Sequence, residues 1–229
     1  MKNIEREGMG AFAEVAAARD VAVRLVEPGE QLPEVEEFAA MVVLGGPASA
    51  NDPTEVMRGE IELVRSALDT EVPYLGICLG MQVLAKAAGG SVVPNPTPEV
   101  GFFDPGGHRY EIELTGPGVA DPLLAGLSST LAVFQLHGET VEPAGGTLVL
   151  ATGQHCLHQV IRVGSCAYGI QGHVELTPEM LTRWASEDPD LVRIGAEVLA
   201  GQFAPVAAEH RRAAEAIFGN FLQIAGIPA

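Results

Sequence analysis

The chain is poor in positive charge. Thirteen lysines and arginines stand against 30 aspartates and glutamates, for a formal net charge of −17. Such a surface repels phosphate backbones and anionic headgroups, so no nucleic acid and no membrane is expected among its partners. No apolar run approaches the roughly 20 residues a spanning helix needs. No charged-then-apolar leader opens the chain, which points to a cytoplasmic location. Cysteine is scarce. Cys78, Cys156 and Cys166 are odd in number and lack paired spacing, which fits free thiols in a reducing compartment. His155 and His158 flank Cys156-Leu157, but no second cluster stands at zinc spacing, so no metal is expected. A Gly-x4-Gly-Lys-Ser/Thr loop and an ATP-pyrophosphatase motif are also missing, and no cofactor is expected. No repeat, linker or low-complexity tract divides the 229 residues, so one domain spanning 1–229 is the simplest organisation.

What is present is a good core and many turns: 47% hydrophobic residues, 27 glycines and 16 prolines. Strand and helix patterns alternate. Strands are expected at Val21–Val26, Ala39–Leu44 and 72–77, and a short one at Ser91–Val93 ending at Pro94. Helices are expected at Gly10–Arg19, Thr54–Asp69 and 79–88. In Thr54–Asp69 the residues Val56, Ile61, Val64 and Leu68 lie near one face. From 94 to 150 the character changes. Tyr110–Leu114, Thr130–Gln135 and Thr147–Thr152 alternate as half-buried strands and suggest an antiparallel excursion. Gln159–Val163 and Cys166–Gln171 read as a hairpin around Gly164-Ser165. Pro178 follows Thr177 as a helix start, and Asp190–Gly201 and Pro205–Ala225 close the chain as helices. The pattern is that of an α/β fold: a doubly wound, mostly parallel sheet with flanking helices and a small antiparallel excursion.

Three local patterns carry chemistry. Gly76-Ile77-Cys78-Leu79-Gly80 follows a buried strand and precedes a helix. This is a Gly-x-nucleophile-x-Gly elbow with cysteine as nucleophile. The glycines permit a tight turn, and the helix N-terminus favours a thiolate. On its own, Cys78 could also be a buried structural thiol, the lesser of the two readings. His173 and Glu175 follow another strand-like run and can supply a base and its orienting acceptor, although most His-x-Glu pairs lie on surfaces. Gly45-Gly46-Pro47 ends the Ala39–Leu44 strand. It is an ordinary turn signal whose N–H groups can also face an oxyanion with that of Leu79. These residues alone support a cysteine acyl hydrolase or transferase. His108 and His210 lie in polar surroundings and are expected at the surface, and Glu139 and Glu142 read as solvated acids.

Five segments together resemble the class I glutamine amidotransferases, in the stand-alone group similar to the amidotransferase domain of GMP synthase. They are Leu44-Gly-Gly-Pro47, Pro73 to Gln82, Glu99-Val-Gly101, Phe134-Gln-Leu-His-Gly-Glu-Thr140 and Gly169-Ile-Gln-Gly-His-Val-Glu175, in family order over roughly residues 5–225. The resemblance implies a flavodoxin-like fold and a triad of Cys78, His173 and Glu175. It also implies an oxyanion hole from Gly46 and Leu79, and glutamyl contacts from Gln82 and the His137-Gly138 region. The substrate it implies is a small γ-glutamyl amide. Three departures stand out. The family's apolar first strand is missing, so either the gene start lies upstream or another segment fills the gap. Gly172 and Val174 flank His173 where relatives carry Phe and Pro. Leu136 stands where Trp is common. Smaller side chains at Gly172 and Leu136 imply a wider leaving-group side. Three roles follow from the resemblance: a free-standing hydrolase of γ-glutamyl amides, an idle scaffold member, or a glutaminase feeding ammonia to a separate synthetase subunit.

Overall fold

The structure, a computed structural model, describes residues 1–227. In chain order the elements are α1 (Ala11–Ala18), β1 (Met41–Val43), α2 (Glu55–Asp69), β2 (Tyr74–Ile77), α3 (Leu79–Ala87), β3 (Ser91–Gly101) and β4 (Glu111–Leu114). The one-turn α4 (Gly116–Val119) follows, then β5 (Thr130–Ala132), β6 (Gln135–Glu142), β7 (Leu148–Gly153), β8 (Val160–Val163) and β9 (Ala167–Ile170). The chain closes with α5 (Pro178–Glu187), α6 (Pro189–Ile194), α7 (Ala196–Phe203) and α8 (Ala207–Ile224). The fold is α/β, with a seven-stranded sheet in the order β1-β2-β9-β8-β7-β4-β5 and a separate ribbon, β3-β6. Strands β1, β2 and β9 run parallel. The antiparallel part, β8 to β5, continues the same sheet and reaches further than the sequence pattern implied. Among the described residues no helix is long and apolar enough to cross a membrane.

Every residue of β2 and β9 is buried, as befits strands covered by helices on both faces. On one face α1 and α8 pack Phe12 and Phe218, stacked at 4.7 Å, over Leu75 and Ile77. On the other, α2 and α3 cover Met41, Val43 and Tyr74. A third cluster, with Trp184, Phe134, Phe102 and Phe203, joins α5–α7 to the ribbon. Helix α3 presses so closely on the sheet that a Cβ at Gly80 would lie 2.2 Å from the Val43 carbonyl oxygen. Helix starts follow local chemistry: Thr54 and Thr177 accept the N–H groups of Met57 and Met180, and Pro178 holds the first position of α5.

Several expectations are corrected. The buried face of α2 is Met57, Glu60, Leu63, Val64 and Ala67, while Val56 points to solvent. The helical repeat holds, but its phase cannot be set by apolar residues alone, because the acid Glu60 is buried too. Val21–Val26 joins no strand ladder, and its Val26 carbonyl accepts Lys2 N–H at 3.0 Å. β3 does not end at Pro94 but runs to Gly101 through three prolines. In a two-stranded ribbon each strand is an edge, and the register breaks between Pro94 and Glu99, so missing donors cost little. Thr130–Gln135 divides into β5 and the start of β6. Asp190–Gly201 is two helices that meet at Gly195, φ 95°.

Among the described residues no strand precedes β1. Met1 to Asn3 lie along its outer edge instead. The terminal amine donates to Val42 O (2.6 Å), Leu44 N–H to Met1 O (3.0 Å), and Asn3 Nδ2 to Leu44 O (3.0 Å). An apolar cavity of about 510 Å³ lies between this edge and the 21–26 segment, over Phe218 and Phe221.

Candidate active site

Cys78 ends β2 and starts α3 with φ 51° and ψ −105°, a conformation that side chains rarely adopt. Neighbouring contacts hold it there. Its N–H donates to Ile170 O on β9 at 2.8 Å, and its carbonyl accepts Gln82 N–H at 3.2 Å. The two glycines of the elbow cross at contact, since a Cβ at Gly76 would lie 2.4 Å from Gly80. The thiol faces the Leu136 carbonyl at 3.8 Å, and the Gln171 amide faces the sulfur at 3.7 Å.

His173 and Glu175 come off the end of β9. Glu175 Oε1 lies 2.8 Å from His173 Nδ1. A carboxylate accepts, so Nδ1 carries a hydrogen and Nε2 is the nitrogen free to take a proton. Burial alone would lower the His173 pKa, but the Glu175 charge and the bond to Cys78 hold it well above its ordinary value. The backbone N–H of His173 donates to Phe134 O at 2.8 Å and fixes the base of the side chain. Trp184 packs edge-on against the ring at 4.9 Å, and Phe134 lies 6.3 Å away. The sequence thus named three side chains that the fold brings together at the C-terminal ends of β2 and β9.

Gly46 and Leu79 are adjacent, for a Cβ at Gly46 would lie 3.4 Å from Leu79 Cδ2. Leu79 opens α3, where the first N–H groups have no partner within the helix. Cys78, His173, Gly46, Leu136, His137 and Gly138 line one cavity of about 360 Å³. The larger cavity beside β1 contains none of these groups, and chemistry rather than size identifies the site. Gln82 is buried and reaches the Glu139 carbonyl at 3.5 Å.

His137 is buried, and its two ring nitrogens face acceptors: Nδ1 donates to Glu139 O at 2.9 Å, and Nε2 lies 2.8 Å from Glu99 Oε2. One proton therefore sits between Nε2 and Glu99. Gln159 also donates to Glu99 Oε2 at 2.9 Å, and Gln135 to Gln159 at 3.0 Å. This network fixes β3 and β6 behind the cavity, so the His137 ring buttresses the wall that it forms with Gly138 and Leu136.

Gly172 is corrected. It does not line the cavity, and a Cβ there would lie 2.3 Å from Val133 Cγ1 and 3.1 Å from Phe134 O. The small residue opens no space. The aromatic neighbours of the His173 ring are Phe134 and Trp184. His210 is corrected too. It is buried against Phe203, while His108 is exposed as expected. Glu142 is exposed, as expected of a solvated acid, and Glu139 is half-buried and accepts from Ser49 Oγ.

Glu99, His137 and Cys156 place possible ligand atoms within 4.8 Å of one another. Each of the three already has protein partners: His137 Nε2 lies 2.8 Å from Glu99 Oε2, and Cys156 pairs with Thr140 Oγ1 at 3.2 Å. His155 and His158 turn elsewhere, to Asp104 and the Val141 carbonyl.

Sequence reasoning missed Glu7, Gln171 and Trp184. Gln171 lies inside the motif that carries His173 and could have been found there. Glu7 sits in the N-terminal loop with no spacing signal, yet it lines the same cavity as Cys78 and His173.

The chain is similar to several known proteins. The family model described as glutamine amidotransferase class-I matches residues 10–183. A glutamine amidotransferase-like protein, YfeJ, of Salmonella typhimurium is 33% identical over 76% of this chain and 73% of its own. A glutamine-hydrolyzing GMP synthase subunit of Sulfolobus acidocaldarius is 30% identical over 66% of this chain and 74% of its own. Among solved structures, a glutamine amidotransferase from Thermotoga maritima superposes with TM-score 0.85 at 23% identity, covering 97% of this chain and 95% of that one. One from Methylobacillus flagellatus gives 0.80 at 24%, covering 97% and 92%. These two likenesses speak to the fold.

Proposed function

The chain belongs to the class I glutamine amidotransferase family, and from that membership we propose that it hydrolyses a γ-glutamyl amide through Cys78. The observation that carries the reading is the strained elbow cysteine beside a buried 2.8 Å His173–Glu175 pair in one cavity. The Cys78 sulfur attacks the γ-carbonyl carbon while His173 Nε2 takes its proton. The backbone N–H groups of Gly46 and Leu79 hold the oxyanion. As the tetrahedral species breaks down, the C–N electron pair moves to nitrogen and His173 returns the proton to the leaving amine. Glu175 keeps Nδ1 protonated and supports the imidazolium. Water then attacks the glutamyl thioester, His173 acting as base, and glutamate leaves. Gly138 and Leu136 wall the glutamyl chain, with Gln82 and His137 fixing that wall from behind.

Glutamine is the smallest such amide, and γ-glutamyl conjugates of larger amines are the alternatives. The test is amine release from a panel of γ-glutamyl amides that includes glutamine. Cys78→Ala should abolish release and covalent trapping by a γ-glutamyl electrophile, whereas changes at Cys156 or Cys166 should leave trapping intact. Trapping that persists without Cys78 overturns the assignment. A second reading is favoured by the relatives named as subunits of glutamine-hydrolyzing GMP synthase. In it the chain acts on glutamine and passes ammonia to a separate synthetase. Activity confined to glutamine and raised by the synthetase would select it.

A further inference from the structure

We propose that Glu7 is a further catalytic residue of this site, its carboxyl accepting a hydrogen of the leaving nitrogen as the amide bond breaks. The inference rests on the γ-glutamyl amide reading above. Glu7 is 3% exposed and lines the same cavity as Cys78 and His173. A Cβ built at Gly45 would lie 2.3 Å from Glu7 Oε2, 2.9 Å from His173 Cε1 and 3.4 Å from Cys78 Cβ. The three groups therefore surround one point, and only a glycine fits between them.

Glu7 Oε2 is sealed from solvent and has no hydrogen-bond partner among the described residues. Buried polar atoms are otherwise paired, and an orphan beside a reacting centre marks a place for a ligand atom. The loop that carries it is held from several sides. Glu7 N–H donates to Ile4 O at 3.2 Å, and Ala11 N–H to Glu175 O at 2.9 Å. Trp184 Nε1 donates to Arg6 O at 3.0 Å, and Arg6 pairs with Asp188 at 2.8 Å. Arg6 is thus paired with Asp188 rather than with Glu7, and its charge draws on the Glu7 carboxyl less than that of His173.

The geometry of the reaction fixes which atom Glu7 meets. The oxyanion lies at Gly46 and Leu79, and the glutamyl chain runs along Leu136 and Gly138. The leaving nitrogen must face His173, its proton donor, and Glu7 is the acid on that side. In the tetrahedral species His173 gives its proton to the lone pair of the nitrogen, which gains positive charge and a third N–H. The C–N electron pair then goes to nitrogen as the bond breaks and neutral amine leaves. A carboxylate accepting one N–H stabilises that charge without changing any covalent bond of its own. Burial raises the Glu7 pKa and the His173 charge draws it back down, so the acid is most readily ionised when the imidazole carries the proton it will donate.

An ester offers a clean control, because its leaving oxygen has no hydrogen before proton transfer. The experiment compares kcat/KM for L-glutamine and for L-glutamic acid γ-methyl ester in wild type, Glu7→Gln and Glu7→Asp. Glu7→Gln should lower the glutamine value about 100-fold, the scale of one transition-state contact, and the ester value less than about 3-fold. Glu7→Asp keeps the charge and should recover part of the glutamine loss. Equal losses on both substrates, no loss on either, or an Asp variant no better than the Gln variant on glutamine would each overturn the role of Glu7. A wild type inert on both substrates would overturn the underlying hydrolase reading instead.

Discussion

Cys78 occupies φ 51°, ψ −105°, which costs a residue with a side chain about 1–3 kcal/mol. Glycine would remove that strain. Cys78→Gly should be more stable to urea than Cys78→Ala, by about 1 kcal/mol after glycine's own entropy cost, and neither should be trapped by a γ-glutamyl electrophile. At Gly172 the opposite holds. A side chain there meets Val133 Cγ1 at 2.3 Å, so Gly172→Ala should lose about 1–3 kcal/mol by overpacking, without a change in the ratio of kcat/KM values between small and bulky amides. A shifted ratio with unchanged stability would restore Gly172 to the pocket. His210 gives a pH signature. Burial pushes its pKa down to about 4, against about 6.5 unfolded. Between these values the unfolded chain binds a proton that the fold refuses. The stability is therefore complete above about pH 6.5 and is lost as pH falls towards 4. Burial pushes Glu60 up to about 7 from 4.5, and its contribution runs the other way, lost as pH rises through that window. The two slopes oppose each other, so a variant must separate them. His210→Leu should gain about 2–3 kcal/mol relative to wild type between about pH 7.5 and 4.5, read by urea unfolding at each pH. A constant difference between the two proteins would mean that His210 is not the titrating group.

At the scale of elements, α5 is tied to the site through one ring. Trp184 packs edge-on against His173, and its Nε1 holds the loop that carries Glu7. Trp184→Ala should cost about 3–5 kcal/mol and slow trapping of Cys78. Trp184→Phe should keep most of the packing and lose the bond to Arg6, so amide hydrolysis should fall more than ester hydrolysis. The parts of the site legible in the sequence are those where chemistry is local. Gly76 to Gly80 carry their turn signal within five consecutive residues, and His173 and Glu175 are two residues apart beyond one strand end. What could not be read depends on distant contacts. The buried face of α2 is turned because Glu60 belongs to it. Three prolines do not stop β3, because its ribbon has only edges. Gly172 looks like vacant space in the sequence, and only the fold places Val133 and Phe134 there. Glu7 has no neighbour in sequence that announces it, and Gly45 and His173 meet it only in three dimensions.

At the scale of the molecule, a net charge of −17 makes the folded surface repel itself. Salt should therefore stabilise. Raising NaCl from about 10 to about 150 mM should increase stability by about 1 kcal/mol, roughly 2–4 °C in Tm. An unchanged or lower Tm would show that the 30 acids are spaced or paired well enough to avoid mutual repulsion. The sheet joins two kinds of neighbour. β7, β8 and β9 follow one another through short turns and pair within residues 148–170. β2, however, meets β9 by pairing Tyr74 with Ala167 and Ile77 with Ile170, across a long stretch of intervening chain. Hairpins close in microseconds, while pairings that must close a long loop are slow. The elbow takes its place only when Cys78 N–H finds Ile170 O. Reactivity is therefore a clock that starts late. During refolding the circular dichroism of strands and helices should recover first, and trapping of Cys78 by a γ-glutamyl electrophile should lag behind it. For that interval the chain has most of its secondary structure and none of its chemistry.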